Sequence, residues 1–160
     1  MGFSFSYDKR KVKQALRYHF LWQKEIRIML LVIILFDIVS AILYFSGKIQ
    51  PQPFILGSLI WFFFILSIWF FLPENIYRKS PTFKEKYNLS FNSQGITVQT
   101  ERGGADWQWH NFIKYAESPD FFHLYFSAKS FFLIPKEGMD GEMINTIRKL
   151  MKQNIGTTGK

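Results

Sequence analysis

Few side chains in this sequence are of types that do chemistry, and their spacing narrows them further. There is no Cys, so thiol nucleophiles, disulfides and Cys-based zinc sites drop out. Imidazole chemistry would fall to His19, His110 and His123, yet none stands at ligand spacing from clustered carboxylates, so no metal site is expected. No Ser has an evident His/Asp partner in the sequence, and Gly103-Gly104 lacks the strand–loop–helix frame of a phosphate loop, reading more simply as a hairpin turn. The aromatic pair Trp107 and Trp109, with Lys136, could make a binding surface, although a core role suits the tryptophans better. The reading is therefore of a chain with no catalytic residues, no cofactor and no metal: not an enzyme.

One ionisable residue is conspicuous by its setting. Asp37 stands inside the apolar run from Ile28 to Phe45, where a bare carboxylate costs roughly 2.5–3.5 kcal/mol in a bilayer. It should be protonated, paired or turned towards a partner. Equal-depth pairing in an antiparallel hairpin puts the Trp61 indole beside it, so an interhelical hydrogen bond is favoured and a proton or ion relay is the alternative. Ser40, Ser58 and Ser67 could make similar interhelical bonds.

The elements that position these residues divide by charge. Residues 1–27 carry seven basic and two acidic side chains, 28–72 carry only Lys48 and Asp37, and 73–160 carry twelve basic and nine acidic, which together give the net charge of +8. Basicity thus gathers beside the apolar segments, where anionic headgroups account for it at about 1 kcal/mol per side chain, and nucleic acid is not expected as a partner. Lys9, Arg10, Lys11, Lys13 and Arg17 lie on one side of those segments, and Arg78, Lys79, Lys84 and Lys86 on the other.

Spans are read at 28–46 and 53–72, each long enough at about 1.5 Å per residue to cover the roughly 30 Å hydrocarbon core. The intervening Gly47 and Pro51 make a tight reversal, and the basic flanks place both termini in the cytoplasm by the positive-inside rule. A cleaved signal peptide fits poorly, since no clean small-residue site follows the first span and the second would hold the product in the membrane.

Around this hairpin the signals are of strands and two short helices. Phe3 to Tyr7 alternates apolar and polar residues, and Asp8 caps a basic helix whose Val12, Leu16, His19 and Phe20 share a face, running along or into the membrane. Residues 1–27 form this cytoplasmic strand and amphipathic helix, and 73–86 form a basic juxtamembrane linker. From Tyr87 six short alternating runs are separated by turn residues, with Trp107 and Trp109 on one face of the third. Asp140 then caps a helix with Met143, Ile147, Leu150 and Met151 on one stripe, ending at Gly156. The fold class is α+β: a two-helix transmembrane hairpin plus a small antiparallel sandwich or split barrel at 87–154, capped by the last helix, with a tail at 155–160. If Phe3 to Tyr7 joins the sheet, the strands number seven.

Several runs resemble a known family. Tyr87-Asn88-Leu89-Ser90-Phe91-Asn92-Ser93-Gln94-Gly95-Ile96-Thr97-Val98 is similar to the opening of a YcxB-like domain, as is Trp109 followed by Asn111-Phe112-Ile113-Lys114-Tyr115. Phe121 to Phe126 and Phe131 to Lys136 resemble its last two strands. The resemblance implies a bacterial membrane protein with a pleckstrin-homology-like (PH-like) domain of seven strands and a C-terminal helix, and it brings no established catalytic residues. It places the chain in the cytoplasmic membrane as a multi-pass protein. The expected role is a non-enzymatic binding or regulatory module at the inner face, its partners anionic lipid headgroups, an unidentified protein, or a second copy. An immunity-type protein that neutralises a membrane-acting toxin is the alternative.

Overall fold

The computed structural model describes residues 2–155. Gly156 and the tail beyond it lie outside the described residues. Two units divide the chain: the first takes the residues up to Ala15 and from Ser80 onward, the second Leu16–Lys79.

In the first unit the sequence alternations become two antiparallel sheets. Strands β1 (Gly2–Ser6), β2 (Lys86–Phe91), β3 (Gly95–Thr100) and β4 (Gly103–Gln108) lie in that order in one, and β5 (Lys114–Glu117), β6 (Phe121–Tyr125) and β7 (Phe131–Pro135) in the other. β2 shows the expected alternation plainly, with Tyr87, Leu89 and Phe91 buried and Lys86, Asn88 and Ser90 exposed. β1 does join the sheet: Phe3 pairs with Leu89 and Phe5 with Tyr87. The Phe5 and Tyr87 rings stack at 5.4 Å, and just past the strand the Tyr7 hydroxyl donates to the Leu133 carbonyl at 2.6 Å, tying the N-terminal segment to both sheets. The helical hairpin is therefore an insertion between two adjacent strands of one sheet.

The core gathers Leu89, Ile96 and Val98 from the first sheet with Tyr115, Phe122, Leu124 and Ile134 from the second. Helix α5 (Gly141–Asn154) closes it with Ile147 and Met151, fully buried as the stripe pattern required. Its start is fixed by Asp140, whose carboxylate accepts the Met143 N–H at 2.7 Å. β6 is buried on both faces, so Phe121, His123 and Tyr125 are enclosed as fully as the core-facing Phe122 and Leu124. One strand differs from expectation: β4 ends at Gln108, and Trp109 begins a 3₁₀ turn, Trp109–Asn111, instead of sharing a strand face with Trp107. The turn lets the Trp109 indole bury itself and donate to the Asn92 carbonyl at 3.3 Å.

Helix α1 (Lys9–Trp22) is capped by Asp8, which accepts the Lys11 N–H at 2.9 Å. Val12, Leu16, His19 and Phe20, which share a face, are all buried.

The second unit holds two helices long and apolar enough to cross a membrane, Lys24–Phe45 and Gln52–Lys79. The first, α2, starts four residues before the apolar run, because Lys24 to Arg27 continue the same helix beyond a break at Gln23. The second continues seven residues past Leu72, so the first half of the expected linker is α-helical, and Pro81–Lys84 adds a 3₁₀ turn. The second helix comprises α3 (Gln52–Leu66), a π-helical turn Ser67–Phe71 and α4 (Leu72–Lys79). Pro73 explains the wide turn. It has no N–H to give the Trp69 carbonyl four residues back, and Arg17 supplies one instead, its Nε donating to Trp69 O at 2.9 Å with the guanidinium 4.8 Å over the Trp69 ring.

Candidate functional site

The register of the first sheet leaves a groove along its edge strand. Leu89 pairs with Val98 and Val98 with Ala105, while Phe91, Ile96 and Trp107 form the next row and Thr100 faces Gly103. The inward side of the edge strand β4 is thus Gly103, Ala105 and Trp107. Two of these three are too small to reach the second sheet. Leu89 and Val98 are buried, but Ala105, at the end of their row, is exposed although it points inward. An open groove of about 460 Å³ results, walled by Tyr87, Val98, Trp107, Phe126, Phe131 and Phe132. The walls are rigid aromatic contacts: the Trp107 ring lies 4.9 Å from Phe132 and 5.1 Å from Phe126, edge to face in both cases. At the mouth Arg102 pairs with Glu85 at 3.1 Å and stays 76% exposed. Burial, with the Glu85 charge adding to it, pushes the Tyr87 hydroxyl above its ordinary pKa, and that hydroxyl donates to the Thr82 carbonyl at 3.1 Å.

The three residues expected to make a binding surface go to three settings. Trp107 lines the groove and Trp109 is buried in its turn. Lys136 belongs to an ion cluster that sequence reading missed. Its ammonium lies 2.7 Å from Glu117 Oε1, donates to the Ser118 carbonyl at 2.6 Å and sits 5.0 Å over the Phe122 ring, with only 14% of the side chain exposed. Arg148 of α5 completes the cluster with a fork onto Glu117, Nε to Oε2 at 2.9 Å and a terminal nitrogen to Oε1 at 2.6 Å. The Arg148 hydrogen bonds, helped by Lys136, hold the Glu117 carboxyl at about 2. The cluster fastens α5 to the ends of β5 and β7.

Ser118, for which the sequence offered no partner, has one. His123 Nε2 lies 2.9 Å from its Oγ, and that hydroxyl is 3.3 Å from the Phe121 carbonyl. A carbonyl can only accept, so the serine proton goes to it and the imidazole N–H donates to Oγ. A nucleophile needs the reverse arrangement, and both side chains are buried. The pair locks the β5–β6 turn.

Asp37 packs against Gly57, which lies one helical turn from Trp61. The carboxylate lies where a glycine Cβ would be, and the Phe36 ring is 2.9 Å from the same point, so only glycine fits there. Its Oδ1 is buried without a hydrogen-bond partner. Ser58 does not bond across the pair, its hydroxyl donating to Phe54 O of its own helix at 2.9 Å. Of the basic residues, Lys11 pairs with Glu137 at 3.0 Å and Arg17 is held by Trp69 as above. Lys9, Arg10 and Lys13 also lie on α1, Arg78 and Lys79 end α4, and Lys84 and Lys86 stand on either side of the step into β2. Among the described residues no three His, Asp or Glu side chains gather as a metal site would require.

These features define an α+β protein of two antiparallel sheets and helices, with an open aromatic groove and two candidate membrane helices. Residues 91–151, from the end of β2 into α5, match the model of the YcxB-like protein family. No curated protein and no solved structure matches the chain.

Proposed function

We propose that the chain is a non-enzymatic binding module anchored in a bacterial cytoplasmic membrane, presenting a PH-like domain on the cytoplasmic side. The observation that carries this reading is the pairing of β1 with β2 across the apolar hairpin. A chain that leaves a sheet after one strand and rejoins it at the next must cross any bilayer an even number of times, and Lys24–Phe45 with Gln52–Lys79 supplies two crossings. The basic residues flanking the pair then select the cytoplasmic side and anionic headgroups as lipid partners. The groove beside Trp107 is where the domain has unfilled space for a further, protein partner. Membrane fractions test the anchoring: the chain should resist both high-salt and alkaline carbonate washes and leave only with detergent. Release by salt alone would overturn it.

A further inference from the structure

We infer that the groove takes an extended peptide segment of a partner protein, added as a strand along β4. This deepens the binding-module reading and rests on it, though not on membrane insertion. β4 is the last strand of its sheet, paired on one side only with β3. Among the described residues no backbone hydrogen bond from residues 104–108 reaches across its other side. Proteins blunt such edges with proline, charged side chains or bulges; Gly103 to Gln108 contain no Pro and one charge, Asp106, which lies on the outward face and accepts a hydrogen bond from Thr97 of β3. One wall of the groove is therefore a row of free backbone donors and acceptors at strand spacing, and its complement is another strand. The remaining walls are aromatic and face the space above Gly103 and Ala105.

A strand lying beside β4 would send every second side chain into that space. Those positions call for large apolar residues, since the row Leu89, Val98, Ala105 stops short of filling it. A second copy of the chain pairing through its own β4 would offer only Gly103, Ala105 and one Trp107 on that face, which leaves most of the groove empty. At the mouth Arg102, 76% exposed and engaged on one side by Glu85, has guanidinium donors to spare for an acidic residue at one end of the peptide.

The test uses the full chain in nanodiscs and a synthetic eight-residue peptide alternating leucine with threonine and ending in glutamate. Hydrogen exchange followed by mass spectrometry should show residues 103–108 protected roughly tenfold or more by saturating peptide, with residues 86–91 unchanged. The same residues reordered into a leucine block should protect nothing. Ala105→Phe fills the groove and should abolish protection while leaving exchange in 86–91 as before. Should that variant unfold, the wild-type chain with peptides N-methylated at alternate amides decides the matter, since one methylation register removes the bonds to β4 and should abolish protection while the other spares both. Absence of protection overturns the inference, as does protection equal for the alternating and block peptides. Protection without peptide that grows with protein concentration would assign the edge to a second copy, and protection that follows lipid addition would assign the groove to an acyl chain. Either contradicts the peptide site. A chain that resists carbonate extraction yet gives no protection loses the strand site and keeps its anchor.

Discussion

Glu117 shows how one carboxylate can hold two elements together. It accepts from Arg148 of α5 and from Lys136 just after β7, and its carboxyl titrates at about 2, against an ordinary 4.5. A depressed acid pKa stabilises the fold above the ordinary value, and the contribution is lost as pH falls from there through the folded value. The cluster is partly open to solvent, so its worth is about 1–2 kcal/mol after screening. Thermal unfolding of Glu117→Gln should therefore show a lower midpoint than wild type at pH 7 and converge with it towards pH 2. Parallel curves over that interval would mean that the charge on Glu117 contributes nothing. No sequence pattern pointed to this cluster, because Glu117, Lys136 and Arg148 are brought together by tertiary packing and none follows the spacing of a helix or a strand.

Among the elements, regular periodicity was legible and its interruptions were not. All seven strands could be read from alternation and turn residues, and Asp8 and Asp140 announced their helices, since each signal is local. The 3₁₀ turn at Trp109 was hidden because Trp107-Gln108-Trp109 alternates like a strand. The π turn was hidden because Ser67 to Phe71 is as apolar as its neighbours, although Pro73 was the available clue. The groove could not be foreseen before the register placed Gly103 and Ala105 on the inward side. Pro73 and Arg17 should act as a pair. Arg17→Ala should cost about 1.5–3 kcal/mol in the wild-type background, the usual range for a hydrogen bond to a charged group. In Pro73→Ala, where residue 73 regains an N–H for Trp69 O, the same change should cost much less. Additive losses in denaturation of the detergent-solubilised chain would show that Arg17 does not act through that carbonyl.

On the scale of the whole molecule, the connectivity of one sheet bears on membrane topology. β1 and β2 are paired neighbours with the two candidate spans between them, so the proposed two-span anchor requires both ends of the hairpin on one side and its turn, near Gly47, on the other. The chain has no Cys, so single replacements can be labelled without background. Intact cells carrying Gln50→Cys or Ser93→Cys, treated with a membrane-impermeant maleimide, give the most direct measurement. Labelling at Gln50→Cys, with Ser93→Cys reacting only after the cells are opened, is the result expected of a cytoplasmic domain on a two-span anchor. Labelling of Ser93→Cys in intact cells, with Gln50→Cys protected, would contradict it.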